Sequence, residues 1–479
     1  MGLRVVQEKK YNVIVIGAGI AGLVCAAFLS KKGARVLVLE QHERPGGCCS
    51  SFEKDGFKFD VGSHIFGGCG SRGLLGRILN ELEISVDFVK RFPADRIIFP
   101  DEIVDIPPDL EEYERLLQKK FPEEKVSIKQ FFEEIVKLFR KSLSWQIPNE
   151  QKGASFQDLV DVFFKSEKLK AIVSGLYGYL GEAPSKISAV SLASLLVVFI
   201  RDGTYYPKGG AQSLPDALVQ GIQKNGGNVY LSTSASQIVF QNGSIKGVET
   251  KEGNFFETDI VVSNIDADFT FGSLLKNYDG KIKQKISKFK KSMSLFVMYI
   301  GLAAFEEKMH YKKGMYHSSY SLNNKENNSY YIHIPTCYDR SLAPPGKSII
   351  IPQYIFPYEY ESINDWKACK EKLQSWMLNE LNKIFPGIHD SIVVCESATP
   401  LTIQRYTGNS NGSVYGWALT PDKVFEGRLM NETEINGLYL AGHWTNPGAG
   451  VPSVAASGWY VANQIWNRYS NLFLSISKN

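Results

Sequence analysis

The sequence of 479 residues lacks a long hydrophobic run. A membrane-spanning helix needs roughly 18 or more apolar residues, whereas the apolar stretch AVSLASLLVVFI occupies only residues 189–200. We therefore expect no membrane span, and we predict for this stretch a buried helix or a helix that lines an apolar tunnel. Residues 1–10 are polar overall and precede a buried strand, so no secretory leader is expected.

Strong charge of one sign and low-complexity sequence are also missing. The formal net charge is +4, which is too small to indicate a nucleic-acid partner, and no nucleic-acid-binding motif is present. Hydrophobic residues make up 44% of the chain and charged residues 22%, as in ordinary globular proteins. The seven cysteines are an odd number in a chain without a recognised leader. This favours a reducing compartment, and we predict a cytoplasmic protein.

A glycine motif follows the first predicted strand. Residues 12–16, NVIVI, are typical of a buried parallel strand and lead into GAGIAG at residues 17–22, followed by a helical stretch and a second strand. Gly17 permits the tight turn, Gly19 lets the backbone approach a pyrophosphate, and Gly22 lets the helix pack on the strand. The helix start offers free N–H groups to phosphates. Glu40 stands about 20 residues further on, where a carboxylate accepts hydrogen bonds from ribose hydroxyls.

The next segment distinguishes between dinucleotides. RPGG at residues 44–47, a predicted hairpin over 51–60, and the sequence VGSH at 61–64 follow Glu40. This arrangement resembles the FAD-containing amine oxidase and phytoene desaturase superfamily, in which a double glycine and a hairpin complete the FAD site. The resemblance implies FAD as the cofactor. Many of those proteins carry arginine directly after the double glycine, whereas this chain has Cys48.

The C-terminal segment agrees with this interpretation. GLYLAG at residues 437–442 reads as a strand that enters a glycine turn, and a helix is predicted from about residue 453 to 466. In the superfamily this segment lies against the flavin ring, and the positive helix start stabilises the anionic reduced flavin. The family usually has an acidic residue where this chain has His443.

The middle of the chain returns to the same domain. Strands are predicted at residues 228–231, 236–240, 245–250 and 259–263, and the resemblance places Ile238 beside the adenine. We predict an α/β fold with an α+β second unit: a Rossmann-like FAD-binding domain is interleaved with a mixed helical and β-sheet substrate domain. The predicted FAD-binding domain comprises residues 1–100, 205–275 and 398–479, and the substrate domain residues 101–204 and 276–397. The predicted cofactor-binding residues are Gly17, Gly19, Ile20, Ala21, Gly22, Glu40, Gln41, Gly46, Gly47, Cys48, Gly62, Ser63, Ile238, Gly442, His443, Gly450 and Val451.

The resemblance is closest to the phytoene desaturase, carotenoid isomerase and retinol saturase group. It implies hydride exchange between flavin and a carbon–carbon bond of a long apolar polyene, or a double-bond isomerisation with no net redox change. Aromatic residues between positions 292 and 397, among them Tyr316, Tyr354 and Tyr360, can line an apolar slot or pack within a sheet. The sequence has no Ser-His-Asp pattern, no metal-ligand spacing and no clear acid–base pair. His64 and Tyr415 are the candidates for residues that face the substrate.

The sequence says less about partners than about the cofactor. No second glycine fingerprint marks a nicotinamide site, so the external electron donor or acceptor stays open. The basic run at residues 281–291 places Ile282, Ile286 and Phe289 on one helical side, which suits either a peripheral membrane surface or an ordinary solvated helix. Two other functions stay open at this point: an FAD-dependent amine or porphyrinogen oxidase, and a non-catalytic binding protein like the GDP-dissociation inhibitors.

Overall fold

The computed structural model describes residues 10–143, 153–276, 278–303, 312–323, 328–356, 363–424 and 427–476. Tyr360 lies outside these residues. The described residues contain 14 α-helices and 20 strands, numbered here in chain order. The helices are α1 Ile20–Lys31, α2 Leu74–Leu82, α3 Leu110–Lys120, α4 Lys125–Leu143, α5 Phe156–Phe163, α6 Glu167–Ser174, α7 Ala189–Arg201, α8 Ser213–Lys224, α9 Ala267–Phe269, α10 Lys281–Ile286, α11 Trp366–Ile384, α12 Ile388–Ser391, α13 Pro400–Thr407 and α14 Val451–Ile476.

The strands form five sheets. They are β1 Val13–Ile16, β2 Val36–Leu39, β3 Ser51–Lys54, β4 Phe57–Asp60, β5 Phe66–Gly67, β6 Phe88–Lys90, β7 Asp95–Ile98, β8 Ile103–Ile106, β9 Thr204–Pro207, β10 Asn228–Tyr230, β11 Ala235–Gln241, β12 Ser244–Thr250, β13 Phe255–Glu257, β14 Val261–Ser263, β15 Ser294–Ala303, β16 Gly314–Tyr316, β17 Tyr330–His333, β18 Lys347–Phe356, β19 Ile392–Ala398 and β20 Leu438–Leu440.

A five-stranded parallel sheet joins the two ends of the chain. Its order is β10-β2-β1-β14-β20, so the first strand pairs with β14, and β14 pairs in turn with the last strand. Both faces of the sheet are covered. Val13 and Val15 of β1 belong to the same buried cluster as α1 and α14, while Ile14 packs toward the antiparallel sheet β11-β12-β13. Burial on both faces explains the uninterrupted apolar strands.

A seven-stranded sheet forms the second large layer. Its order is β19-β15-β18-β17-β16-β7-β8, and α11 and α12 pack on one face. The other face meets the hairpin β3–β4 through Phe57 and Phe59. The predicted domain boundary at residue 100 is wrong in its position, because it falls inside the hairpin β7–β8, so this sheet begins at Asp95. The division into two domains itself remains a prediction.

The chain between β8 and β9 forms a cluster of helices. The side chains of α3 to α7 share one buried core, and α7 is the predicted apolar helix, with Leu192, Ala193 and Val197 fully buried. The predicted fold class is confirmed. Within the described residues, no helix combines the length and the apolar character needed to cross a membrane. None of the seven cysteines, all of which are described, forms a disulfide.

Candidate functional site

A cleft opens at the carboxyl ends of the parallel strands, where α/β proteins bind ligands. Its volume of about 430 Å³ lies within the range of small-molecule sites. Both glycine-rich segments line it, together with Tyr415. The lining residues among those predicted are Gly17, Gly19, Ile20, Ala21, Glu40, Gln41, Gly46, Gly47, Cys48, Ser63, Tyr415, Gly442, His443, Gly450 and Val451.

The N-terminal glycine turn has no room for side chains. A Cβ on Gly17 would lie 2.7 Å from the Ile265 side chain, and one on Gly22 would lie 2.3 Å from the Gly17 carbonyl oxygen. Gly17 also has φ +96°, which L-residues with side chains rarely adopt. Helix α1 starts after Gly19, and no side chain caps it. Its first N–H groups are therefore available to an anion in the cleft. Gly22 itself lies behind the turn and does not line the cleft.

Glu40 closes the turn from the second strand. One carboxylate oxygen accepts a hydrogen bond from Ala18 N at 2.7 Å, and the other accepts from His42 N at 2.9 Å. Burial raises the pKa of Glu40, and the two backbone donors oppose that shift. The carboxylate therefore stabilises the glycine turn from behind and also borders the cleft, where its remaining lone pairs can accept hydroxyl hydrogens.

The double glycine packs directly on this turn. Gly46 N donates to Ala18 O at 2.8 Å, and a Cβ on Gly47 would lie 3.7 Å from the Gly19 Cα. Cys48 follows at the cleft wall, and burial raises the pKa of its thiol to about 11. The thiol is therefore neutral at pH 7 and brings no charge to this part of the cleft wall.

Asn264 connects the two glycine-rich segments, and the sequence interpretation did not identify it as a site residue. It follows β14, and its side-chain nitrogen donates to Gly17 O at 3.1 Å. A Cβ on Gly442 would lie 2.7 Å from the Asn264 side-chain oxygen. One amide thus spans both turns. Its position directly after a central parallel strand was the available signal.

The C-terminal segment lies over a buried cation. Arg428 donates to His443 O at 2.7 Å and to Thr445 O at 3.2 Å, while its Nη1 has no hydrogen-bond partner among the described residues. Burial lowers the pKa of Arg428 to about 10, so it is charged at neutral pH. Burial, with the Arg428 charge, also lowers the pKa of His443 to about 4, so this histidine is neutral. Gly442, with φ +99°, makes the turn before it.

The remaining wall of the cleft comes from the end of α13 and from Asp266. Asp266 accepts hydrogen bonds from Phe269 N at 3.0 Å and from Ser410 N at 2.6 Å. It therefore holds the loop after α13 against the sheet. Burial raises the pKa of Asp266, and its backbone donors oppose the shift. Tyr406 and Asn409 of the same wall also line the cleft.

Three further predicted positions lie outside the cleft lining. Ile238 is buried in the core between the sheets, while Ser234 and Ala235, at the start of β11, line the cleft. Gly62 lies outside the lining, and its carbonyl faces the Gln353 amide. His64 is also outside it and is buried against Gln353 and His333.

The basic run at residues 281–291 does not present an apolar face. Helix α10 covers only six of these residues. Ile286 is buried, and Ile282 and Phe289 pack on the core beneath it; the Phe289 ring lies 5.1 Å from that of Trp417. These three side chains therefore hold the segment to the protein, and they do not form the exposed apolar side that docking on a membrane through them would require. The lysines at positions 281, 283 and 288 are exposed.

The donor set fits FAD. Two helix starts with glycines before them border one cleft, which suits a long ligand that carries a pyrophosphate in its middle and a polar ring system at one end. The steric exclusion of Cβ atoms at Gly17 and Gly22 leaves bare backbone for the pyrophosphate. A carboxylate at Glu40 suits a ribose. The residues that would hold the cofactor are therefore those of the two turns and Glu40.

Comparisons with known proteins agree with this geometry. The family model for flavin containing amine oxidoreductases matches residues 20–466. Prolycopene isomerase 1 from chloroplasts of an Oncidium hybrid cultivar is 30% identical over 96% of this chain and 85% of its own length. The all-trans-retinol 13,14-reductase of Danio rerio is 26% identical over 90% and 82%. The zeta-carotene-forming phytoene desaturase of Myxococcus xanthus is 25% identical over 97% and 96%.

The fold is also found among solved structures. The crystal structure of an oxidoreductase from Methanosarcina mazei aligns with a TM-score of 0.71 at 22% identity, and the alignment covers 94% of this chain and 100% of that one. This likeness concerns the fold alone.

Proposed function

The chain belongs to the family of flavin containing amine oxidoreductases, and from this premise we propose that its substrate is a long apolar isoprenoid polyene. The chain is an FAD-dependent oxidoreductase, as predicted from the two glycine-rich segments. The flavin, when bound, supplies hydride exchange with an allylic or olefinic carbon. The three relatives named above are an isomerase, a reductase and a desaturase of such molecules by their names, and this common substrate class carries the proposal.

The residues of the chain have three tasks in this proposal. The turns at Gly17 and Gly442 hold the cofactor by backbone contacts. The positive charge of Arg428, one residue behind the cleft wall, favours negative charge on the flavin ring. Tyr415 borders the cleft and is half-buried. Desolvation raises the pKa of its phenol, so Tyr415 is protonated and brings no charge to an apolar substrate.

The amine oxidase alternative has no specific support in the cleft. An amine substrate is cationic, and we expect a site for it to offer acidic groups. Glu40 and Asp266 are the described carboxylates that line the cleft. Glu40 lies where the ribose of the cofactor is expected. The backbone N–H groups of Phe269 and Ser410 hold the two oxygens of Asp266. The proposed polyene therefore suits the described wall better than an amine.

We further propose that the substrate reaches the enzyme at a membrane surface, because polyenes of this size reside in bilayers. The exposed lysines of residues 281–288 are the basic group for this contact, through charge rather than through an apolar face. Reversal of Lys281, Lys283 and Lys288 to Glu is expected to reduce flotation with anionic liposomes. Equal flotation of this variant and the parent protein would remove the segment from the proposal.

One experiment tests the substrate and the direction together. The purified protein, either oxidised or photoreduced under nitrogen, is incubated with carotenoids, retinol and amines, and products are separated by chromatography with mass detection. We expect turnover of a polyene, with a mass change of two hydrogens or none. Turnover of amines only, with every polyene recovered unchanged, would contradict the proposal.

A further inference from the structure

A buried cluster of one carboxylate and two imidazoles lies beside the cofactor cleft. Asp60 ends β4, His64 follows Ser63 of the cleft wall, and His333 ends β17 of the seven-stranded sheet. One ligand atom from each side chain lies within 4.8 Å of the others. Their exposed fractions are 1%, 5% and 0%. The three side chains therefore meet where the hairpin segment contacts the sheet.

Among the described residues, three of the four imidazole nitrogens have no hydrogen-bond partner. These are Nδ1 of His64 and both ring nitrogens of His333. The remaining nitrogen, Nε2 of His64, meets the side-chain amide of Gln353. A buried polar group without a partner costs about 1–3 kcal/mol. The fold accepts this cost at adjacent atoms, which indicates that these nitrogens serve a ligand.

Asp60 is held in a fixed orientation. One carboxylate oxygen accepts from Ser51 Oγ at 2.8 Å and from Ala211 N at 2.7 Å. The other accepts from Tyr206 Oη at 2.6 Å and keeps a further lone pair. Hydrogen bonds of this kind orient the carboxylate ligands of metal sites. The side-chain amide nitrogen of Gln353 meets Nε2 of His64 and fixes the position of that ring.

We propose that Asp60, His64 and His333 bind one divalent first-row transition-metal ion. Two imidazoles and one carboxylate are ligands for Zn²⁺ and Fe²⁺, with at least one further position left for water. The ion ties the segment after the hairpin to the seven-stranded sheet. The proposal stands on the contacts of these residues and does not depend on the identity of the substrate.

The electrostatics and ring geometry are compatible with an ion. The Arg91 charge reaches both histidines, and the Lys313 charge reaches His333. The Asp95 carboxylate, 3.4 Å from Arg91, compensates the first of these charges. Asp60 then supplies the negative charge for the metal. The two rings stack at 26° with centroids 4.7 Å apart, so binding requires a rotation of the His333 ring. No hydrogen bond of this ring opposes that rotation.

The test uses the full-length flavoprotein after chelation and dialysis. Titration with Co²⁺ is followed in the visible range beyond the flavin bands, and Zn²⁺ is added in competition. We expect one ion per chain and at least tenfold weaker binding in His333→Gln. Tyr206→Phe, which keeps all three ligands, is expected to weaken binding about tenfold or more by releasing Asp60.

His317→Gln is the matched control. His317 is also a buried histidine, but its two nitrogens already meet Ser329 Oγ at 2.7 Å and Gly175 O at 2.8 Å. This variant is expected to bind Co²⁺ like the parent. The proposal is overturned if the parent protein binds no stoichiometric metal, or if His333→Gln and Tyr206→Phe both retain the parent affinity. Flavin content is recorded for every variant, so loss of the cofactor is seen separately from loss of the metal.

Discussion

Two helix starts, those of α1 and α14, present backbone to the cleft, and different residues hold each of them in place. The start of α1 depends on shape: glycines exclude side chains, and Glu40 holds the turn by backbone hydrogen bonds. The start of α14 adds charge, because the Arg428 guanidinium holds the carbonyls of the segment before it. A phosphate needs close backbone, whereas a ring that accepts electrons also gains from a fixed positive charge. The start of α1 therefore serves to hold the cofactor, whereas the start of α14 also adjusts its chemistry.

The largest expected effect comes from filling the N-terminal turn. Gly22→Val would place a Cβ 2.3 Å from the Gly17 carbonyl oxygen and 2.9 Å from Asn264 Nδ2. We expect loss of bound FAD and no recovery on reconstitution, measured by the ratio of flavin to protein absorbance. Gly272→Ala is the control, since no atom lies within 4 Å of its added Cβ. A Gly22→Val protein with normal flavin content would show that FAD binding at this turn does not depend on the exclusion of side chains.

Removal of the cation at the other end comes next. Arg428→Gln leaves carbonyl oxygens of the C-terminal segment without their charged donor, and we expect a loss of about 1–3 kcal/mol in the free energy of unfolding. We also expect a lower midpoint potential of the bound flavin, because removal of the positive charge destabilises the reduced anion. Arg428→Lys keeps the charge and should retain most of the potential. Equal potentials in all three proteins would assign Arg428 to structure alone.

A change at Asn264, which contacts both glycine turns, should have a weaker effect on each of them. Asn264→Ala removes the hydrogen bond to Gly17 O, which is worth about 1 kcal/mol. We expect roughly fivefold weaker FAD binding, measured by fluorescence titration of the reconstituted protein. Unchanged affinity would mean that each turn is positioned independently, and the comparison would then concern two separate sites.

The last comparison concerns acid, to which the two ends respond in opposite directions. The pKa of His443 is lowered by burial from 6.5 to about 4, so the unfolded chain binds more protons between these values and stability rises with pH. The pKa of Glu40 is raised above 4.5 by burial. The folded chain therefore keeps that proton longer, and stability falls as pH rises above 4.5.

Urea unfolding of variants measures these slopes. His443→Asn should remove a rise of the unfolding free energy with pH, and Glu40→Gln should remove a fall. Each change is at most about 1.4 kcal/mol per pH unit for one proton. The differences from the parent protein between pH 4.5 and 6.5 are compared, since other buried histidines contribute equally to all three. Slopes of the same sign for both variants would contradict the assigned pKa directions.

Much of the fold could be predicted, since the parallel sheet depends on local patterns. Apolar strands followed by glycine turns carry their meaning within a few residues, as at Gly17 and Gly442. The short strand β13 was missed because three residues are too few for a period. Ile238 was predicted to lie beside the adenine only from the family resemblance. Nothing in a strand of alternating apolar and polar residues marks which residue contacts a ligand.

The rest of the site depends on contacts that no spacing encodes. Arg428 lies outside any motif, and its burial under the segment from His443 to Gly448 arises only in the folded chain. His64 and His333 are far apart in sequence and meet through packing of the hairpin on the sheet. The basic run was misread because helical spacing shows which residues share a side, but not whether the protein itself covers that side.

The order of the parallel sheet also has a consequence for biosynthesis. Translation produces the strand that starts at Val13 long before Leu438–Leu440 and the start of α14. The C-terminal part of the cleft wall is therefore missing from every nascent chain until translation passes Val451. Stable capture of the flavin must follow synthesis of this segment, and chains that terminate before it are expected to be colourless.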